Sequence, residues 1–269
     1  MCIEDVIGYC SREVGALKME KELSVIIPAY NEDKQIYNNL LEINKIIGSF
    51  CNSYELIAVN DGSIDNTKSE IRKAADVCPN ICAAGYDKNK GKGGAIKHGV
   101  KIASGEYIAF LDADLDLSPL HLKAFMERIK ETGAAAVIGS KMHKDSKVDY
   151  PLPRRIMSIC YFIMLKLLFR LNVKDTQTGV KLFDAKELNK IITQVRTSGF
   201  AYDIEILALI NQNKGRIEEM PIELVFRRDC AWGRIKFSDI IGVAKDTFKI
   251  WKNVHKVKRM GVWCEKAIQ

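Results

Sequence analysis

The chain has 269 residues, 47% of them hydrophobic, and a formal net charge of +7 at pH 7. This composition excludes a disordered or fibrous protein and predicts one large globular domain, or one domain with a small appendage. Eight cysteines are scattered without a CxxC pair, which argues against a disulfide framework or a zinc site and for a reduced, cytoplasmic protein. Residues 1–22 carry acids and no sustained apolar stretch, so we expect no signal peptide.

The positive charge is concentrated near the C-terminus. Residues 227–259 contain ten Lys or Arg against three acids, so this segment alone accounts for the net charge of +7. A basic segment can meet an anionic membrane surface, open solvent or nucleic acid. We rank these partners in that order and expect no nucleic-acid partner, because an apolar helix predicted nearby favours lipid.

Runs of apolar and β-branched residues alternate with stretches of helical periodicity through the first half of the chain. The predicted strands are 23–27, which Pro28 would stop, 54–59, 81–86, the apolar run after Gly105, and 134–139. The predicted helices between them are 33–47, 67–77 and 119–132. This alternation predicts an α/β fold, with a mostly parallel, Rossmann-like sheet flanked by helices.

Three acids, Asp112, Asp114 and Asp116, follow the fourth predicted strand at alternate positions. Unpaired carboxylates at this spacing would repel one another, and a divalent cation that prefers oxygen ligands, Mg²⁺ or Mn²⁺, would offset the repulsion. A solvated acidic turn ahead of the helix begun by Ser118-Pro119 is the alternative. Because ligands of open α/β sheets bind beyond the carboxyl ends of the strands, the position of the cluster favours the metal site.

A glycine-rich segment, Lys88–Ala95, precedes another helix. Glycines beside a lysine ahead of a helix can cradle a diphosphate, but the spacing and Gly93 do not match the P-loop pattern. Two interpretations stay open. In one, the backbone or Lys92 approaches a diphosphate, and in the other the segment is an ordinary flexible turn.

The second half of the chain begins with a polar loop over 141–153 and an apolar stretch over 156–173. That stretch carries only two cations, Lys166 and Arg170, on one face. Its length and these cations favour an interfacial helix over a membrane-spanning one, and a core or dimer helix is the alternative. Further strands are predicted at 181–183 and 221–226, further helices from 185 and near 203, and an amphipathic basic helix beyond Phe237.

Five segments, in this order, resemble the family 2 glycosyltransferases, and among them the polyprenyl-phosphate and dolichyl-phosphate sugar transferases. The segments are Ile26–Glu32, Val59–Ser63, Asn89–Ala95, Asp112–Asp114 and Asp175–Phe183. The resemblance implies a GT-A fold over 23–226, with a nucleotide-sugar half to about residue 140 and an acceptor half from 141. Residues 1–22 would be an extension, and 227–269 a basic segment with amphipathic helices at the membrane interface.

The resemblance also implies an activity. It is the metal-dependent, inverting transfer of a sugar from a UDP- or GDP-sugar to a polyprenyl or dolichyl phosphate, with Mg²⁺ or Mn²⁺ as cofactor. The enzyme would lie peripherally on the cytoplasmic face of a membrane. Two alternatives remain, a transferase of the same fold with a soluble glycan or protein acceptor, and a non-catalytic membrane-surface adaptor. The sequence leaves the oligomeric state open, a homo-oligomer included.

The matching positions carry the family's roles. Nucleotide-sugar binding would fall to Pro28, Tyr30, Glu32, Val59, Asp61, Lys92 and Asp112. Metal binding would fall to Asp114 and Asp116, and acceptor-phosphate binding to Lys141, Arg154 and Ser158. The catalytic candidates are Asp112, Asp114 and Asp203.

Two positions depart from the family pattern. Asn60 replaces the usual first Asp of its motif, and Lys141 replaces an Arg. The lysine ammonium would attract the acceptor phosphate as a point charge, whereas an arginine would bind it through two parallel N–H groups. Asp203 and its neighbour Glu205 would orient donor hydroxyls or the acceptor. No strong base is needed, because a phosphate monoester with a second pKa near ~6 is already largely ionised at neutral pH.

Overall fold

The computed structural model describes residues 20–148, 152–199, 201–224 and 247–254, apart from the side chains of residues 152–158 and 160. Within these ranges, seven strands form one sheet that helices flank. The strands are β1 Lys21–Ala29, β2 Tyr54–Asp61, β3 Ile81–Tyr86, β4 Gly105–Phe110, β5 Ala136–Ser140, β6 Lys181–Asp184 and β7 Ile217–Pro221. The helices are α1 Ile36–Gly48, α2 Thr67–Val77, α3 Lys92–Ile102, α4 His121–Thr132, α5 Leu152–Phe169, α6 Ala185–Ile192 and α7 Tyr202–Gln212.

The sheet is mostly parallel, as the sequence predicts, and its strand order is β3-β2-β1-β4-β6-β5-β7. Strands β1 to β4 run parallel to one another, and β5 runs parallel to β7. Strand β6 is antiparallel to both β4 and β5, where Lys181 pairs with Phe110 and with Ile138. The start of β6 therefore lies at the carboxyl ends of its two neighbours.

Two hydrophobic clusters cover the two faces of the sheet. Helices α1, α2 and α4 pack on one face, and α3, α5, α6 and α7 pack on the other. Helix α1 buries Ile36, Leu40, Ile43 and Ile47, the three- and four-residue spacing that predicts one apolar face. Each fully buried Ile or Leu contributes about 1.5–3 kcal/mol relative to an exposed one.

Strand β1 does not stop at Pro28, contrary to the sequence prediction. Pro28 lies in register with Val59 on the β2 side, whereas the pairing of β1 with β4 ends at Ile26 opposite Phe110. Proline has no N–H to donate, so a strand tolerates it where one neighbour has already separated.

Two other elements lie upstream of their predicted positions. Strand β7 ends at Pro221, where the predicted strand 221–226 begins, and Glu223 and Leu224 make isolated bridges to Lys147 and Leu117. Residues 225 and 226 of that prediction lie outside the described residues. Helix α5 covers 152–169 rather than 156–173. It accommodates Pro153 because the first turn of a helix tolerates proline, and it ends before Arg170, whose φ is +55°.

Parts of the predicted architecture lie outside the described residues, namely nearly all of the N-terminal extension and most of the basic C-terminal segment. Residues 247–254 are helical and bury Ile250 and Val254 in the cluster that includes α5. Tyr161 of α5 shares a hydrogen bond of 3.1 Å with Thr247. Over the ranges that the structure describes, no helix combines the length and the apolarity needed to cross a bilayer.

Candidate active site

The acids after β4 lie on one side of the chain. Asp112, Asp114 and Asp116 are partly exposed, whereas the residues between them, Ala113 and Leu115, are buried. Leu115 has a φ of +60°, a left-handed conformation that is uncommon for a residue with a side chain. The Asp116 N–H donates to Asp114 Oδ1 over 3.2 Å. The turn at Leu115 thus keeps leucine in the core and the carboxylates at the carboxyl edge of the sheet.

Asp112 contacts a group on each side. Its Oδ1 lies 2.5 Å from Lys92 Nζ at the start of α3. Burial alone would lower the pKa of Lys92, but Asp112, helped by Asp203 and Asp114, raises this pKa above its usual value. On the other side, a Cβ added to Gly179 would lie 2.2 Å from Asp112 Oδ2, so only glycine allows the backbone this close.

The acid cluster does not form a complete metal cage. Within the described part of the chain, no three His, Cys, Asp or Glu side chains are grouped so that they could hold an ion. Mg²⁺ typically binds one or two carboxylates together with substrate phosphates and water, rather than an all-protein cage. The partly exposed side chains of Asp114 and Asp116 fit that kind of site, in which a phosphate ligand would complete the set.

Asp61 anchors the glycine-rich segment to the end of β2. It accepts hydrogen bonds from the Tyr86 hydroxyl at 2.6 Å, the Lys90 N–H at 2.9 Å and Asn89 Nδ2 at 3.0 Å. Burial and the Asp61 carboxylate raise the pKa of Tyr86, which therefore stays a hydrogen-bond donor. Asp61, predicted to bind the nucleotide sugar, thus also positions the glycine-rich loop. Tyr86 and Asn89 were not predicted to take part.

Gly93 of this segment makes a tight packing junction, which contradicts an ordinary flexible turn and leaves the approach to a diphosphate as a prediction. The Gly93 N–H donates to the Ser198 carbonyl at 2.8 Å, and a Cβ on Gly93 would lie 2.7 Å from Tyr202 Cβ. Glu205 holds the other side of the junction by accepting the N–H groups of Arg196 and Thr197, at 3.0 and 2.7 Å. The Gly93 amide is occupied, so the Lys92 side chain is the group that reaches toward the acids.

Asp203 is a buried partner of Lys181. Its side chain is 7% exposed and that of Lys181 is 2% exposed, and Lys181 Nζ lies 3.0 Å from Asp203 Oδ1. Burial raises the pKa of Asp203, while Lys181 and Lys92 oppose that rise. The Lys181 ammonium also donates to the Thr178 carbonyl. Sequence reasoning placed Lys181 only in a short strand, although a lysine between apolar strand residues is a signal for a buried partner.

Lys141 and Asp175 form the second group of charges. The Lys141 N–H donates to Asp175 Oδ2 over 3.0 Å, and Lys141 Nζ lies 3.7 Å from the same oxygen. Thr178 Oγ1 donates to it as well, over 2.6 Å. Helix α5 carries Arg154 and Ser158, whose side chains lie outside the described part of the chain.

The other residues predicted to bind the nucleotide sugar differ in their exposure to solvent. Tyr30 is 47% exposed beyond β1, and Pro28 and Glu32 are partly exposed near it. The Glu32 N–H donates to Thr67 Oγ1 over 2.7 Å. Val59 is fully buried in the core, so any contribution that it makes to a nucleotide site would come from its backbone.

The fold matches those of two solved sugar-phosphoglycerate synthases. The structure aligns with glucosyl-3-phosphoglycerate synthase from Mycobacterium tuberculosis at a TM-score of 0.64 and 16% identity, covering 91% of this chain and 85% of that one. It aligns with mannosyl-3-phosphoglycerate synthase from Rubrobacter xylanophilus at a TM-score of 0.66 and 13% identity, covering 90% of this chain and 75% of that one. The fold is therefore GT-A, the class that the sequence predicts.

Sequence comparison defines the family. The model of glycosyl transferase family 2 matches residues 24–192. The chain is 31% identical over 250 residues to a dolichyl-phosphate beta-glucosyltransferase of Trichomonas vaginalis, covering 90% of this chain and 75% of that protein. It is 30% identical over 255 residues to the dolichyl-phosphate beta-glucosyltransferase of Saccharomyces cerevisiae, covering 86% and 72%. The protein belongs to glycosyl transferase family 2 and is a glycosyltransferase.

The packing junction gives a direct stability test. Alanine at position 93 would gain helix propensity, yet its Cβ would overlap Tyr202 and approach the Ser198 carbonyl at 3.0 Å. We expect Gly93→Ala to lower the free energy of unfolding by about 1–3 kcal/mol, as overpacking does. Gly199→Ala is the matched control, because a Cβ there meets nothing within 4 Å. Urea unfolding of both variants measures the difference, and equal stabilities would contradict the junction.

Proposed function

We propose that the protein transfers a sugar, with inversion, from a nucleotide-sugar donor to a polyprenyl or dolichyl phosphate at a membrane surface, with Mg²⁺ or Mn²⁺. UDP-glucose is the first donor to test. The relatives named above are dolichyl-phosphate beta-glucosyltransferases, and the mycobacterial synthase was crystallised with Mn²⁺ and UDP-glucose.

One loop carries the proposal, because it contacts both groups of charges. Asp175, at its start, accepts the Lys141 N–H, and Gly179, at its end, lies against Asp112. These two loop residues are four Cα steps apart, which is at most roughly 15 Å. A donor diphosphate near Asp112 and an acceptor phosphate near Lys141 would therefore be no farther apart than the length of one nucleotide-sugar molecule.

The donor side has the chemistry that sugar release needs. Lys92 carries a positive charge next to Asp112, and Asp114 and Asp116 offer oxygen ligands. A bound divalent ion would neutralise charge that develops on the departing nucleotide diphosphate. Asp203, in the first turn of α7, is held near Lys181 and supports the orientation of donor or acceptor groups rather than proton removal.

A small cavity supports the acceptor side. It has a volume of about 60 Å³, and its walls combine two lysines, one carboxylate, and polar and apolar side chains. Its lining residues are Lys141, Met142, Tyr161, Leu165, Lys174, Asp175, Thr176 and Gln177. A phosphate with an apolar tail suits such a wall, because the lysines attract the anion and the α5 side chains accept the first carbon atoms.

The outer face of α5 supports a membrane surface as the place of reaction. Ile159, Ile163 and Leu167 recur every fourth residue and are 39, 49 and 78% exposed. Phe248, on the neighbouring helical segment, is 49% exposed, and Lys252 Nζ lies 4.9 Å from its ring centre. Apolar side chains flanked by lysine stems are typical of helices that lie in the headgroup region.

The function is tested with purified protein, Mn²⁺ and a panel of nucleotide sugars that includes UDP-glucose and GDP-mannose. Three acceptors are compared: a short, water-soluble prenyl phosphate, the matching prenyl alcohol, and 3-phosphoglycerate. Sugar transfer to the prenyl phosphate alone supports the proposal. Transfer to 3-phosphoglycerate, or failure to transfer sugar to any of the three acceptors, rejects the lipid-phosphate acceptor.

The soluble acceptor also separates two roles for neighbouring arginines. If Arg154 binds the acceptor phosphate, Arg154→Ala should lower kcat/KM for the prenyl phosphate by at least about 30-fold, because a charge-assisted partner is lost. Arg155→Ala should leave it nearly unchanged. Equal effects of the two substitutions would remove the assignment of Arg154.

The metal assignment predicts the effect of Asp114→Asn, which keeps the shape of the side chain and removes a ligand charge. We expect kcat to fall by at least about 100-fold, with the thermal midpoint of the free protein unchanged. The rise in that midpoint caused by Mn²⁺ with UDP should also be lost. Asp76→Asn on α2 is the control, and an Asp114→Asn enzyme within tenfold of wild type would contradict the assignment.

The apolar face of α5 predicts binding to anionic vesicles. The double variant Ile163→Glu with Leu167→Glu should weaken binding by at least about tenfold. Two apolar side chains that the bilayer would bury are replaced by negative charges, which anionic headgroups repel. Val77→Glu is the matched control, since Val77 is 59% exposed on α2, in the other half of the chain. Flotation assays measure this difference, and similar binding by all the proteins would reject α5 as the contact.

A further inference from the structure

Lys181 is one of the most deeply buried large side chains in the described part of the protein. It opens β6, between β4 and β5, and its side chain is 2% exposed. A buried ammonium is costly unless it is paired, and two partners offset the cost here. They are the Asp203 carboxylate, 3.0 Å away, and the Thr178 carbonyl.

These two partners belong to different parts of the site. Thr178 lies in the loop between Asp175 and Gly179, and its hydroxyl donates to Asp175 at 2.6 Å. That carboxylate also receives the Lys141 N–H at 3.0 Å. Through Thr178, therefore, Lys181 is connected to the group of charges on the acceptor side.

Asp203 connects Lys181 to the donor side. It follows Tyr202, against which Gly93 of α3 packs so closely that a Cβ would not fit. The residue before Gly93 is Lys92, whose ammonium pairs with Asp112 at 2.5 Å. Lys92 and Asp203 also influence each other electrostatically. Positive and negative groups thus alternate from Asp112 through Lys92 and Asp203 to Lys181.

The contact between Lys181 and Asp203 depends on charge. Asp203 Oδ1 is buried and receives no hydrogen bond of suitable geometry, although the ammonium lies 3.0 Å away. Ion pairing tolerates a poor angle, whereas a neutral amide or hydroxyl at position 181 would need a good one. Without the ammonium, therefore, this oxygen would be left buried and unpaired.

We propose that Lys181 is a positioning residue, which fixes the loop through the Thr178 carbonyl and the first turn of α7 through the Asp203 carboxylate. It thereby sets the distance between the donor and acceptor groups. The inference rests on the proposed function, because it concerns the alignment of two substrates. It assigns Lys181 no contact with either of them.

The first test is Lys181→Met, which keeps the aliphatic volume and removes the charge. We expect kcat for transfer to the soluble prenyl phosphate to fall by about 10–100-fold, the range for residues that orient groups in a site. The KM for the nucleotide sugar should stay within about threefold, because the Lys92–Asp112 pair is intact. Lys181→Arg keeps the charge and should recover part of the loss.

The control is a buried carboxylate at the opposite end of the sheet. Glu55 is 3% exposed and accepts hydrogen bonds from Ser24 at 2.7 Å and from Ser104 at 2.7 and 2.8 Å. Glu55→Gln should lower the thermal midpoint and leave kcat unchanged. If Lys181→Met loses no more kcat than Glu55→Gln at temperatures well below both midpoints, Lys181 has only a structural role and the proposal is overturned.

A second comparison applies even if Lys181→Met does not fold. The double variant Lys181→Met with Asp203→Asn contains no buried charge of this pair and should be more stable than Asp203→Asn alone, in which Lys181 is left unpaired. If the pair positions the site, the double variant gains stability and its kcat does not exceed that of Asp203→Asn. A kcat that rises together with stability overturns the proposal.

These outcomes are separate from those of the function test. Wild-type protein that transfers no sugar to prenyl phosphate rejects the proposed function, whatever the variants do. Wild-type protein that transfers sugar, together with a folded Lys181→Met variant of normal kcat, rejects the positioning role alone.

Discussion

The direction of β6 decides where the charged groups of this protein meet. The strand runs against β4 and β5, so the chain that enters it crosses the carboxyl ends of both neighbours. Asp112 leaves β4 at that edge, and Lys141 leaves β5 there. The loop that enters β6 contacts both residues. A parallel β6 would place its entry at the opposite edge, where Glu55 and its serine partners lie.

Burial then dictates how the charges are arranged. An isolated buried ion is costly, and removing one partner of a buried pair costs about 3–5 kcal/mol. Lys181 and Asp203 are both nearly inaccessible to solvent, so each requires the other. Lys92 and Asp112 are more exposed, at 23 and 33% of their side chains. The fully buried pair thus lies deeper in the protein than the partly exposed pair.

Local patterns predicted much of the fold. The third strand was predicted at its observed bounds, and the second helix to within about a residue at its start, because the apolar pattern of each is set by its own residues. The place of β6 was not predictable in this way, since a strand of four residues obtains its partners from far along the chain. Pro28 was wrongly predicted to end β1 for a related reason. Whether a proline ends a strand depends on which neighbouring strand is still paired at that position. The acids after β4 were singled out by their spacing and by their position at the end of a predicted strand.

Within the candidate site, the sequence pointed to partly exposed residues more readily than to the buried residues that position them. Asp112 and Lys141 stand in recognisable segments. Tyr86 and Glu205 carry no local sign of their roles, because each depends on a backbone group brought close by folding. In the sequence Gly93 stood out only as a departure from the P-loop pattern, whereas in the structure its lack of a side chain allows the close contact with Tyr202. The position of β6 has a further consequence for synthesis of the chain on the ribosome. Because β6 lies between β4 and β5, β5 cannot join the sheet until residues 181–184 have left the ribosome. Before then, the backbone groups of β5 that pair with β6 have no strand partner.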